Sequence, residues 1–132
     1  MKRSLFGILV VAVVAVAGCN PFAPDQSVIL NVTQLDAPAT ITAGSPLPVV
    51  LTVTVGGCLT FERIAVVRGV SGASMIAWGR DGAKGRNVAC PQDVRFEPHS
   101  YQFDPPFPSQ SAFSIQVQRG RWGPLNTTVQ IQ

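Results

Sequence analysis

An all-β fold, an antiparallel sandwich of about seven to eight strands, is what this sequence predicts, and three observations predict it. Apolar residues recur at every second position in most segments after residue 27, which sends alternate side chains to opposite faces of a strand. Turn-forming Gly, Pro, Asn and Asp interrupt these segments at roughly 8 to 12 residue spacing, the punctuation of short strands in a sandwich. Beyond the N-terminal apolar run, only residues 58 to 68 are long enough and free enough of Gly and Pro to suggest a helix. There Ile64, Ala65, Val66 and Val67 stand consecutively, mostly β-branched and with no apolar stripe at helical spacing, so this segment too is read as a strand.

In chain order, the first element is an address. Lys2 and Arg3 precede an apolar run from Leu5 to Val16, the dimensions of a secretory signal helix and short of the roughly 20 residues that cross a bilayer. Asn20-Pro21 ends it, because proline cannot propagate a helix. Val16-Ala17-Gly18-Cys19 then resembles, position by position, the lipobox of bacterial lipoprotein precursors: a branched residue, two small residues and a cysteine. The resemblance covers the first 19 residues. It implies that residues 1–18 are a signal peptide, that Cys19 carries covalent lipid as the first mature residue, and that the protein is held at a membrane of the cell envelope. That membrane is the outer one where the cell has one, and otherwise the outer face of the plasma membrane. An ordinary signal cleaved nearby, or an uncleaved anchor, is the alternative. Residues 19–27 would then be the lipidated cysteine and a short tether with Pro21 and Pro24, reaching about 20 to 25 Å when extended. Residues 28–132 are the folded domain.

Within that domain Val28, Leu30 and Val32 alternate with Ile29, Asn31 and Thr33, and a short extended piece surrounds Ile41. Val49, Leu51, Val53 and Val55 make a second alternation, closed by Gly56-Gly57. After residues 58 to 68, a turn at Gly69 to Gly72 leads to Met75 through Trp78, with Trp78 expected in the core. Asp81-Gly82 favours a hairpin, whose return strand would carry Val88 and Cys90. Val94 and Phe96 alternate with Arg95 and Glu97, Tyr101 and Phe103 follow, and Asp104 to Pro108 forces a connection. Phe113, Ile115 and Val117 give the clearest alternation. A turn over Arg119 to Pro124 precedes the last one, at Leu125, Thr127, Val129 and Ile131.

Composition narrows function. The chain has 10 basic and 7 acidic residues, but Lys2 and Arg3 leave with the signal, so the mature balance is eight against seven. A net charge of +1 gives no argument for nucleic acid as a partner. With Cys19 assigned to lipid, Cys58 and Cys90 are left in an oxidising compartment and are expected to pair. Free or metal-binding thiols are the competing reading, and they lack partners: His99 is the only histidine and no CxxC spacing occurs. A Cys-His nucleophile, a GxSxG elbow and a calcium loop are all missing from the sequence. Asp93 with Glu97, or Asp81 with Asp104, are the carboxylate pairs that would have to meet for acid-base work. His99 is read as a surface loop residue. The expectation is a protein that is not an enzyme, a binding module or one with a purely structural or carrier role, that uses no cofactor beyond its lipid.

In overall pattern the domain resembles the immunoglobulin and fibronectin type III superfamily. Cys58, Trp78 and Cys90 stand in the Cys, Trp, Cys order of immunoglobulin domains, although the cysteines are too close together for that family's inter-sheet bridge, and Val88 occupies the place of its tyrosine corner. The resemblance implies loops gathered at the ends of a sandwich, and two are rich in recognition chemistry. Arg119, Arg121 and Trp122 lie in the last turn, and exposed Arg with Trp is the composition of an interaction hot spot; a Trp that caps the sandwich is the alternative. Arg80, Lys84 and Arg86 surround a glycine-containing loop that lacks the strand-to-helix context of a phosphate cradle, and reads otherwise as a solvated hairpin tip. The expected partners are the membrane, through the anchor, and another envelope protein or cell-wall polymer. Gly82 to Gly85 and Arg121-Trp122-Gly123-Pro124 are also distantly similar to loops of chagasin-type protease inhibitors, which would imply an inhibitor acting through one end of the sandwich.

Overall fold

The computed structural model describes residues 26–132, so the signal segment, Cys19 and most of the tether lie outside the described residues. The described chain is all-β, with nine strands in two sheets: β1 (Ser27–Ile29), β2 (Val32–Asp36), β3 (Thr40–Ile41), β4 (Leu47–Val55), β5 (Leu59–Arg68), β6 (Gly72–Asp81), β7 (Arg95–Phe103), β8 (Ser111–Arg119) and β9 (Trp122–Ile131). Six of them form one sheet in the order β1-β6-β8-β9-β3 with β5 on the other side of β6, and β2-β4-β7 form the second. Alternate residues of β4, β6, β8 and β9 pack between the sheets. Leu47, Val49, Leu51 and Val53 meet Met75, Ala77, Phe113, Ile115, Val117 and Val129, all fully buried. Each such side chain removed from water contributes about 1.5 to 3 kcal/mol, which makes this layer the main source of stability.

Nine strands replace the expected seven to eight because the Val28 to Thr33 alternation is divided between the sheets. The Leu30 amide donates to Ala77 in one sheet, while the Asn31 carbonyl accepts from Thr54 in the other, so the chain changes sheets across a single peptide unit. The large sheet is also mixed rather than purely antiparallel: β6 runs parallel to β8, and β3 parallel to β9. Strand β5, which carries Glu62, Arg63 and Arg68, takes the outer position of its hairpin, where charged side chains blunt an open edge. Strand β6 goes inside, with β1 and β8 sharing its other edge.

Three expectations are corrected by pleat geometry. Strand β6 turns Ala73, Met75, Ala77 and Gly79 inward, which puts Trp78 half-buried on the outer face, with the Arg63 guanidinium 5.7 Å from its ring. Gly79 has no room for a side chain, since a Cβ there would come within 2.6 Å of Leu30 and 2.4 Å of the Thr60 carbonyl oxygen. No return strand forms around Val88 and Cys90; residues 82–94 are a loop. In β7 the register with β4 is unbroken, so the phase that buries Tyr101 and Phe103 sends Phe96 outward, where it is 62% exposed. By contrast β5 contains a bulge between Phe61 and Arg63, which shifts its phase by one and lets Leu59, Phe61, Ile64 and Val66 all face the core. That shift is why no regular period was visible there.

Pro48 and Pro98 sit inside strands. Each lies where a missing N–H is tolerated: β7 is an edge strand, and β2 covers β4 only from Val50 to Val53.

Candidate functional site

Strands β4, β6 and β8 all finish at one end of the sandwich, and β1 starts there. The turn at Gly56-Gly57, the loop 82–94 and the β8–β9 turn therefore share that end with Gln26, the first described residue. Each loop is fixed by its own chemistry. Gly56 has φ 118° and a Cβ on it would lie 2.3 Å from the Asp93 carbonyl oxygen, so only glycine allows the long loop to lie across this turn. The Gly57 amide donates to Asp93 Oδ1 at 2.8 Å, the Gly82 amide donates to the Cys58 carbonyl at 2.9 Å, and Cys58 and Cys90 are disulfide-bonded with their Cα atoms 5.3 Å apart. The β8–β9 connection is the two residues Gly120-Arg121, with φ positive at Gly120 and not at Arg121, the pattern of a type II′ hairpin turn.

The two sequence-predicted loops flank the same short strand. Lys84 Nζ donates to the Ser27 carbonyl at 3.1 Å from one side of β1, and Gly120 lies against Ile29 on the other. Between β1 and the hairpin is a groove of about 420 Å³, lined by Val28, Ile29, Leu59, Arg119 and Trp122, among others. Trp122 is 51% exposed, and the Arg121 guanidinium lies 5.2 Å from its ring. Asn31 and Thr54 also line the groove, and Asn31 Oδ1 and Thr54 Oγ1 are buried there without a hydrogen-bond partner.

The predicted cations have separate fates. Arg119 Nε donates to the Gly123 carbonyl at 2.6 Å and its Nη1 to the Val32 carbonyl at 3.4 Å, so it fixes the hairpin to β2 and is not a free recognition group. Arg80 belongs to β6 and pairs with Glu62 at 3.4 Å, an exposed contact of small energy. Lys84, Arg86 and Arg121 remain exposed to solvent.

The carboxylates do not assemble. Asp81 and Asp104 are at opposite ends of the sandwich; Asp93 contacts Gly57 and Arg95, and Glu97 contacts His99. His99 is a strand residue of β7, not a loop residue, and its ring stacks on Phe61 with centroids 3.5 Å apart, closing the side of the sandwich between β5 and β7. Among the described residues there is no cluster of three or more His, Cys, Asp or Glu able to hold a metal, and no helix long and apolar enough to cross a membrane.

Sequence reasoning missed Arg68, at the opposite end. Its guanidinium donates to the carbonyls of Asp104 and Pro106 and lies 4.7 Å from the Phe107 ring and 5.7 Å from that of Phe113, so it holds the β7–β8 connection over an aromatic cluster. An arginine at a strand end gives no sequence signal that separates this role from a solvated one. Sequence also missed Asn31 and Thr54, which read as ordinary outward-facing polar residues.

No known family model, curated protein or solved structure matches this chain.

Proposed function

We propose that this protein is a lipid-anchored, non-enzymatic binding module of the cell envelope, built on an immunoglobulin-like sandwich and working through its Trp122 end. The observation that carries the reading is the convergence of the two candidate loops on β1. The hairpin and β1 wall a groove with a half-exposed Trp122, the Arg121 guanidinium and two unpaired buried oxygens, and the second loop brings an exposed Arg86 and Lys84, which donates to the Ser27 carbonyl, to the same end. The immunoglobulin-like reading is supported by two packed sheets and by a first strand that changes sheets. It departs from that family where β6, the second strand of its hairpin, lies beside β8.

Co-sedimentation of the unlipidated mature chain, carrying Cys19→Ser, with isolated envelope tests the binding surface. Trp122→Ala with Arg121→Ala should weaken association by about 2 kcal/mol, roughly thirtyfold, while unfolding stays cooperative. Unchanged association would remove this end from the function. The anchor is tested separately: Cys19→Ala should accumulate precursor and abolish labelling by a palmitate analogue, and labelling that persists would remove the lipoprotein reading.

A second reading, a chagasin-like inhibitor, is favoured by one observation. The loops containing Gly82 to Gly85 and Arg121 to Pro124 lie at the same end, as loops that enter one protease cleft must. Titration against papain-like proteases decides it, since an inhibitor of that type abolishes their activity stoichiometrically and a different binding module leaves it intact.

A further inference from the structure

We infer that the surface recognised by the Trp122 end is the anionic headgroup layer of the bilayer that carries the anchor, so that the domain lies with this end on the membrane. The inference rests on the lipid-anchor reading of Cys19 and names the partner of the site proposed above. Three independent distributions support it.

The first is chain length. Six residues, 20–25, separate Cys19 from Gln26, and Gln26 enters the domain at this end, where its carbonyl accepts from the Asp81 amide. A lipid on Cys19 therefore holds this end within about 25 Å of the bilayer.

The second is charge. Arg63, Arg80, Lys84, Arg86, Arg95, Arg119 and Arg121 lie in this half of the sandwich, against Glu62, Asp81, Asp93 and Glu97. The other half holds Arg68 with Asp36 and Asp104. With Asp25 of the tether counted, the tethered end carries seven cations to five anions and the far end one to two, so charge is distributed unevenly although the mature chain totals only +1.

The third is exposed apolar area. Among the described residues Ile29, Val88, Val94, Phe96 and Trp122 are the large hydrophobics exposed at the tethered end, with Phe96 62% and Val94 67% exposed, and only Val67 and Val70 are exposed at the other. Aromatic and aliphatic side chains interleaved with Arg and Lys suit the membrane interface, where rings sit at headgroup depth and cations meet lipid phosphates. A solvent-facing end would gain nothing from a half-exposed Trp122 beside Arg121.

The test uses the mature chain, residues 19–132, coupled through Cys19 to a maleimide lipid in vesicles. Because coupling imposes the anchor chemically, the result does not depend on whether cells acylate Cys19, and palmitate labelling reports on that point alone. Trp78→Phe leaves Trp122 as the sole tryptophan. In vesicles of phosphatidylglycerol and phosphatidylcholine its emission should shift to the blue and be quenched by brominated acyl chains, and pure phosphatidylcholine should give a weaker response. Without coupling, partitioning onto the anionic vesicles should fall about a hundredfold or more when Lys84, Arg86 and Arg121 are together changed to Glu, and should be unaffected by Val70→Asp at the far end. Circular dichroism verifies that each variant is folded. Emission of Trp122 that is neither shifted nor quenched on anionic vesicles would overturn the inference. So would recovery of an envelope protein or polymer that binds through Trp122 while its ring stays unquenched, which would give this surface to that partner instead.

Discussion

The two ends of the sandwich use the same residue types for opposite purposes. At the Arg68 end one guanidinium is spent inside the molecule, donating to two loop carbonyls and lying over Phe107 and Phe113, with Phe107 itself buried. At the Trp122 end Arg121 also stacks on an aromatic ring, yet that ring is half in solvent and no carbonyl receives the guanidinium. An arginine-aromatic pair is therefore a structural clamp when backbone acceptors complete the guanidinium and the ring is buried. When neither holds, the pair is left facing solvent, which is what the proposed binding role requires. The contrast extends to the loops: the β7–β8 connection is held from within by Arg68, whereas loop 82–94 is held by a covalent bond at Cys90, by Asp93 and by Lys84 on the Ser27 carbonyl, which leaves Arg86 to face outward.

Breaking each constraint in turn sharpens the comparison, and the largest effect is expected from the disulfide. Its sequence separation is 32, for which the chain-entropy model gives about 3 to 4 kcal/mol. Denaturant unfolding of Cys58→Ala with Cys90→Ala should register a loss of that order. Alkylation of exported protein without reductant should leave both cysteines unmodified, and labelling of both would contradict the bridge. Next comes Arg68→Ala. Losing two charge-assisted hydrogen bonds and the ring contacts should cost about 2 kcal/mol without changing association with envelope; a stability change under 0.5 kcal/mol would refute the clamp.

Arg119→Ala is intermediate, since it removes the bonds to Gly123 and Val32 that hold the hairpin against β2. A loss of about 1 kcal/mol is expected, together with weakened binding as the groove loses one wall. Smallest of all should be Trp122→Ala, within about 0.5 kcal/mol of the wild type in stability although it is the substitution most damaging to binding. If Trp122→Ala unfolds the domain as severely as Arg68→Ala, the two ends are not different in kind. The working surface would then have to be sought in the Arg80 to Arg86 loop.

What the sequence determined by itself is what depends on local pattern. The alternation of Phe113, Ile115 and Val117 and that of Val49 to Val55 dictated buried strands, because a pleated chain with one apolar face has a single way to hide it. The chemistry of Cys58 and Cys90 dictated their pairing once an oxidising compartment was assumed. Tertiary structure decided everything that depends on which edge meets which. The crossing at Leu30-Asn31 sent one alternating segment into two sheets, bulges in β2 and β5 reset their phase, and an unbroken register turned Phe96 outward and Trp78 away from the core. It alone sorted the arginines, assigning Arg68 and Arg119 to backbone carbonyls and leaving Arg121 and Arg86 in solvent. The acceptors of Arg68 lie 36 to 38 residues away, and those of Arg119 lie four residues away at Gly123 and 87 away at Val32, and composition and period carry no information over the longer separations.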